Sequence, residues 1–103
     1  MELTIQIEGN VCRIALSGEL DHHAASEART RIDEALREDP SINALFLNLS
    51  GITFMDSAGL GMILGRYRVI AERGGRFVLT GASGYAERIL KMAGIYALVE
   101  KGE

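Results

Sequence analysis

Residues 44–75 read ALFLNLSGITFMDSAGLGMILGRYRVIAERGG, and this stretch decides the fold. ALFLNLS, 44–50, is apolar on both sides of its pleat, which predicts a central strand covered on two faces. GITFMD then reads as a loop, and 58–73 carries helical spacing that ends at Gly74-Gly75, the usual chemistry of a helix C-terminus. A strand followed by a loop and a helix is half of a crossover unit, so a parallel sheet is expected.

The flanking segments extend this pattern in both directions. Leu3, Ile5 and Ile7 alternate with polar residues, as do Cys12, Ile14 and Leu16 after Gly9-Asn10. These two runs predict a β-hairpin with a two-residue turn. Ala24, Ala28, Ile32, Ala35 and Leu36 recur at helical spacing, with Asp21 available as an N-cap and Asp39-Pro40 as the stop. RFVLTG reads as a short buried strand, YAERILKMAG as an amphipathic helix ending at Gly94, and IYALVE as a closing apolar segment. The order ββαβαβα implies a single α/β domain with a mixed, mostly parallel sheet and packed helices.

Composition narrows the function. The chain has 103 residues, 48% apolar and 24% charged, with a net charge of −3. That balance suits one ordinary globular domain and lacks the basic excess that nucleic-acid binding requires. No apolar run approaches the ~20 residues of a bilayer span, and MELTIQIE does not resemble a signal peptide, so a cytoplasmic protein without membrane association is expected. Cys12 is the single cysteine, which excludes an internal disulfide and places that thiol in the core as a small hydrophobe.

The glycine-rich block FMDSAGLG, 54–61, invites several chemical readings. Gly59, Gly61 and Gly65 echo a dinucleotide fingerprint, but a whole loop separates them from the preceding strand and the next strand ends in Thr80-Gly81 with no carboxylate. No lysine follows as in a P-loop. A nucleophile elbow needs glycine two residues before the serine, where Met55 stands. His22 and His23 are the only histidine bases; on a helix, adjacent rings are expected to diverge, which disfavours a shared metal site. These points argue against catalysis and against a cofactor.

Ser57 or Asp56 is expected at the N-cap of the second helix. Separating that helix by faces puts Leu60, Ile63, Leu64, Tyr67, Ile70 and Ala71 on a core stripe. Gly61, Met62, Gly65, Arg66 and Val69 fall on the opposite flank, with Met62 and Val69 exposed. Ser57, Gly61 and Gly65 follow one another at four-residue intervals. Two mid-helix glycines cost about 1 kcal/mol each against alanine, so they serve either close internal packing or the approach of another protein's backbone.

GELDHH (18–23), FMDSAGLGMILGRY (54–67) and Gly74-Gly75 before a buried strand resemble the anti-sigma factor antagonists of the STAS domain family, most closely the sporulation sigma-F branch. The resemblance spans nearly the whole chain, 1–103. It implies a STAS-type fold and a non-catalytic partner switch. The unphosphorylated protein would bind an anti-sigma factor that is also a serine kinase. Phosphorylation would end the complex, and a metal-dependent serine phosphatase would restore it. Ser57 occupies the acceptor position, preceded by Asp56, and Ala58 stands where many relatives have a second serine. The docking surface expected on this basis comprises Glu19, Asp21, Asp56, Ser57, Gly61, Met62, Gly65 and Arg66. Another STAS signalling role, as a stress-signalling scaffold or a transporter-associated subunit, and a small nucleotide-binding enzyme are the alternatives.

Overall fold

The computed structural model describes residues 1–102. Strands β1 (Glu2–Glu8) and β2 (Val11–Leu20) are followed by helix α1 (His22–Glu38), β3 (Ala44–Met55), α2 (Ser57–Glu72), β4 (Arg76–Thr80) and α3 (Gly84–Met92). A 3-10 turn, Ile95–Ala97, leads into a two-residue strand β5, Glu100–Lys101. The five strands form one sheet in the order β1-β2-β3-β4-β5. β1 is antiparallel to β2 across the Gly9-Asn10 turn, and every other pair is parallel. The predicted hairpin, three helices and mixed sheet are all present.

The closing apolar segment splits in two. Ile95 and Val99 are buried, and Glu100 and Lys101 pair with β4 as an edge strand. Arg76 holds that edge through a bidentate ion pair, Nε to Glu100 Oε2 and Nη2 to Oε1, both 2.8 Å.

Two expectations for 44–56 need correction. The central strand is covered on one face only: Leu45, Leu47 and Leu49 join the core, whereas Asn48 and Ser50 are exposed and Phe46 is half-buried. Phe46 carries cations on its exposed side, with the Arg13 guanidinium 4.7 Å and that of Arg76 5.8 Å from the ring centre. An apolar residue on an open sheet face is thereby shielded by arginine stems and charge, which hydropathy alone does not register. Second, GITFM is strand, continuing β3 to Met55, and only Asp56 lies between strand and helix. It pairs with residues 17–20 of β2 through two register shifts, between Ala15 and Ser17 and between Gly18 and Glu19. These irregularities break the strict alternation by which a strand is recognised. Gly51 belongs to the same close approach, since a Cβ there would lie 2.6 Å from Ser17 Cβ.

Helix α2 stops as expected. Gly74 has φ 70°, its N–H bonds to Ala71 O at 2.9 Å, and Gly75 N–H bonds to Ile70 O at 3.0 Å. This is the Schellman pair of bonds, open to glycine because the left-handed conformation crowds any Cβ. Cys12 is buried as expected, and burial pushes its thiol pKa up. No helix among the described residues is long and apolar enough to cross a membrane.

Candidate functional site

The site grows from the last rung of the β2–β3 ladder, where Leu20 pairs with Met55. The next residue on each strand turns into a helix, and each is an aspartate. Asp21 Oδ1 accepts from Ala24 N–H at 2.9 Å, and Asp56 Oδ1 accepts from Ala58 N–H at 2.9 Å and Gly59 N–H at 3.2 Å. Parallel crossovers bring both helix N-termini to the carboxyl end of the sheet, where ligands of open α/β folds gather. The Ala24 N–H, aided by the neighbouring His23 and His22, holds the Asp21 carboxyl below its ordinary range.

Asp56, not Ser57, is therefore the N-cap of α2. Ser57 is its first helical residue and is exposed, with its hydroxyl free of the capping role. Glu19 is exposed and Asp21 half-buried; they line a shallow acidic hollow with Glu27 and His23 on the β2–α1 side of the same sheet edge.

The flank of α2 is where the expectation for Met62 fails. Met62 is 4% exposed and Arg66 7%, while Leu60, Leu64 and Tyr67 are only half-buried and Ala71 is exposed. α2 packs on the sheet through one side and against α1 through another, so it buries two faces where a single stripe was expected. Arg66 Nε lies 3.0 Å from Asp33 Oδ1 of α1. Burial draws the guanidinium pKa down and Asp33 opposes it. Asp33 was not singled out in sequence; its spacing of four from Arg29 on α1, 3.8 Å in the structure, was the available signal.

The glycines now separate into two kinds. A Cβ on Gly59 would lie 2.7 Å from Met55 Cγ and 3.0 Å from Leu20 O, so this residue lets the helix start sit on the strand ends. Gly61 and Gly65 would meet nothing within 4 Å. Internal packing does not require them. They form one wall of a groove between α1 and α2, with Ala58 at its end, Ala25 and Ser26 opposite, and Arg66 at its base.

His22 and His23 do not diverge: their ring centres are 4.0 Å apart. At the first helical positions no preceding turn crowds the rings, so they can lean together. Among the described residues no three His, Cys, Asp or Glu side chains are grouped to hold a metal ion.

The profile of the STAS domain matches residues 2–101. The chain is 38% identical over 101 residues to the anti-sigma F factor antagonist of Paenibacillus polymyxa, covering 96% of this chain and 86% of that one. It is also similar to the anti-sigma factor antagonist SpoIIAA in its unphosphorylated form, with TM-score 0.74, 29% identity, and coverage of 88% of this chain and 83% of the other. The Bacillus SpoIIAA in its phosphorylated form matches with TM-score 0.79 and 27% identity, covering 99% and 92%. With a hairpin-led parallel sheet, two capped helices at its carboxyl edge and a family profile that spans almost every residue, the chain belongs to the STAS domain family.

Proposed function

We propose that this protein is an anti-sigma factor antagonist that works as a phosphorylation-controlled partner switch. In this reading the unphosphorylated chain binds an anti-sigma factor with serine kinase activity and so releases a sigma factor. Phosphorylation of Ser57 ends binding, and a metal-dependent serine phosphatase reverses it. The chain itself carries no catalytic residue and needs no cofactor. The observation that carries the proposal is the exposed Ser57 at the head of a side-chain-free strip, Gly61 and Gly65, that internal packing does not use.

Each docking residue takes a role on this reading. Ser57, Gly61 and Gly65 admit a partner backbone, while Glu19 and Asp21 present acidic charge to a basic patch. Asp56 shapes the helix start. Met62 and Arg66 act from beneath, setting the α1–α2 spacing.

A phosphate adds about −1.5 to −2 charges, which a helix N-terminus favours by about 0.3–1 kcal/mol. The fold therefore tolerates it. Against a partner, the same charge beside Asp56 would be desolvated, a cost of several kcal/mol. A loss of 3–4 kcal/mol corresponds to roughly two to three orders of magnitude in affinity.

The test is to incubate the chain with a cognate anti-sigma kinase and ATP and to map the phosphate by mass spectrometry. Phosphate on Ser57, its absence from Ser57→Ala, and weak kinase binding by a folded Ser57→Asp are expected. Undiminished labelling of Ser57→Ala would refute the acceptor assignment.

A further inference from the structure

We propose that the groove between α1 and α2 is a binding site for a small free oxyanion, a carboxylate or a phosphate, held by Arg66 with Arg29 and His22 at the rim. The groove is open to solvent, and its volume of about 420 Å³ is within the size range of small-molecule sites. The proposal goes beyond the switch reading and does not depend on it.

The charge at its base is incompletely answered. The Arg66 side chain is 9% exposed, yet its Nε and Nη1 are buried with no hydrogen-bond partner. Asp33 Oδ1, 3.0 Å from Nε, is at ion-pair distance but outside hydrogen-bond geometry. Buried donors in native proteins nearly always find an acceptor, and for a guanidinium the fitting acceptor is a carboxylate or phosphate oxygen.

Asp33 is also shared. Arg29 lies 3.8 Å from its Oδ2, so two guanidinium groups face one carboxylate and a net positive charge remains beside the groove. The helix N-termini add little, because Asp21 and Asp56 already occupy their first N–H groups. Recognition thus rests on the arginines, with the Ser26 hydroxyl and His22 as further donors on the wall. Gly61 and Gly65 add no side chain to the groove that they line with Arg66.

The experiment titrates the full chain, labelled with nitrogen-15, with inorganic phosphate and separately with succinate at constant ionic strength set by chloride. Saturable shifts of the Arg66 Nε–H signal and of the Gly61 and Gly65 amides are expected with at least one oxyanion. Response to phosphate alone assigns the phosphate class, and response to succinate assigns the carboxylate class. Gly65→Leu, which fills the groove from a helical position with open space, is expected to abolish the shifts while keeping the dispersed spectrum. Arg29→Gln, a change at an exposed side chain, is expected to weaken binding several-fold and guards against a folding defect in the first variant. Absence of saturable shifts with both anions, or unchanged binding in both variants, would overturn the proposal.

Discussion

Leu20 and Met55 are register partners at the end of the β2–β3 ladder, and this single pairing sets two helix starts side by side. Asp21 and Asp56 follow directly and cap α1 and α2. Because Asp56 satisfies two backbone N–H groups, Asp56→Ala should destabilise the domain by about 0.5–2 kcal/mol. Ser57→Ala, at an exposed position outside the cap, should stay within about 0.5 kcal/mol of wild type. Urea denaturation of the two variants measures the difference, and equal losses would mean that Ser57 shares the cap.

The glycines of α2 should respond in opposite directions. Gly61→Ala and Gly65→Ala place a methyl group in open space on a helix, and each should stabilise by up to about 1 kcal/mol. Gly59→Ala drives a Cβ into Met55 and the Leu20 carbonyl and should destabilise by about 1–3 kcal/mol. Thermal denaturation gives the signs. If the proposed switch is right, the two stabilised variants should nevertheless bind the anti-sigma factor less well than wild type, a separation of stability from function that calorimetric titration would reveal.

Arg66 and Asp33 should be unequal partners. Asp33→Ala leaves a buried guanidinium with only the like charge of Arg29 nearby, and a loss of about 1–3 kcal/mol is expected, reduced from that of a fully buried pair because the Asp33 side chain is 24% exposed. Arg66→Met removes the charge and keeps an apolar stem, so it should cost less than Asp33→Ala or be neutral. A double-mutant cycle in chemical denaturation tests the order.

Acid should unfold the protein through identifiable carboxylates. Asp21 is held low by the Ala24 N–H, Glu87 by the Tyr96 hydroxyl and Lys101, and Glu100 by Arg76. A carboxyl whose folded pKa lies below its unfolded value stabilises fully above the unfolded value, near pH 4, and loses that contribution as pH falls through the folded pKa. Stability should thus be flat through neutral pH and fall below about pH 4. Asp21→Asn keeps a capping oxygen without a titrating charge, so its stability should fall less steeply in that acid range. Parallel pH–stability curves for the variant and wild type would show otherwise.

How far the residues themselves spoke is clearest along 44–75. Local chemistry determined where elements begin and end: Gly9-Asn10 turns the hairpin, Asp21 and Asp39-Pro40 bound α1, and Gly74-Gly75 stop α2, because caps and turns depend on a few adjacent residues. The motif residues around Ser57 were legible for the same reason, as a continuous block. What the sequence by itself could not determine was coverage. Leu45 and Phe46 are equally apolar, but only Leu45 joins the core, while Phe46 lies on the other face of the sheet under two arginines brought in from β2 and β4. Met62 and Arg66 fall on the flank opposite the core stripe of a helical wheel, yet both are buried in a helix that packs against α1, distant in sequence. The glycines show the division most sharply. Gly59, Gly61 and Gly65 are alike in sequence, and only the tertiary structure assigns the first to a tight contact and the other two to open space, because the distances that separate those roles run between elements.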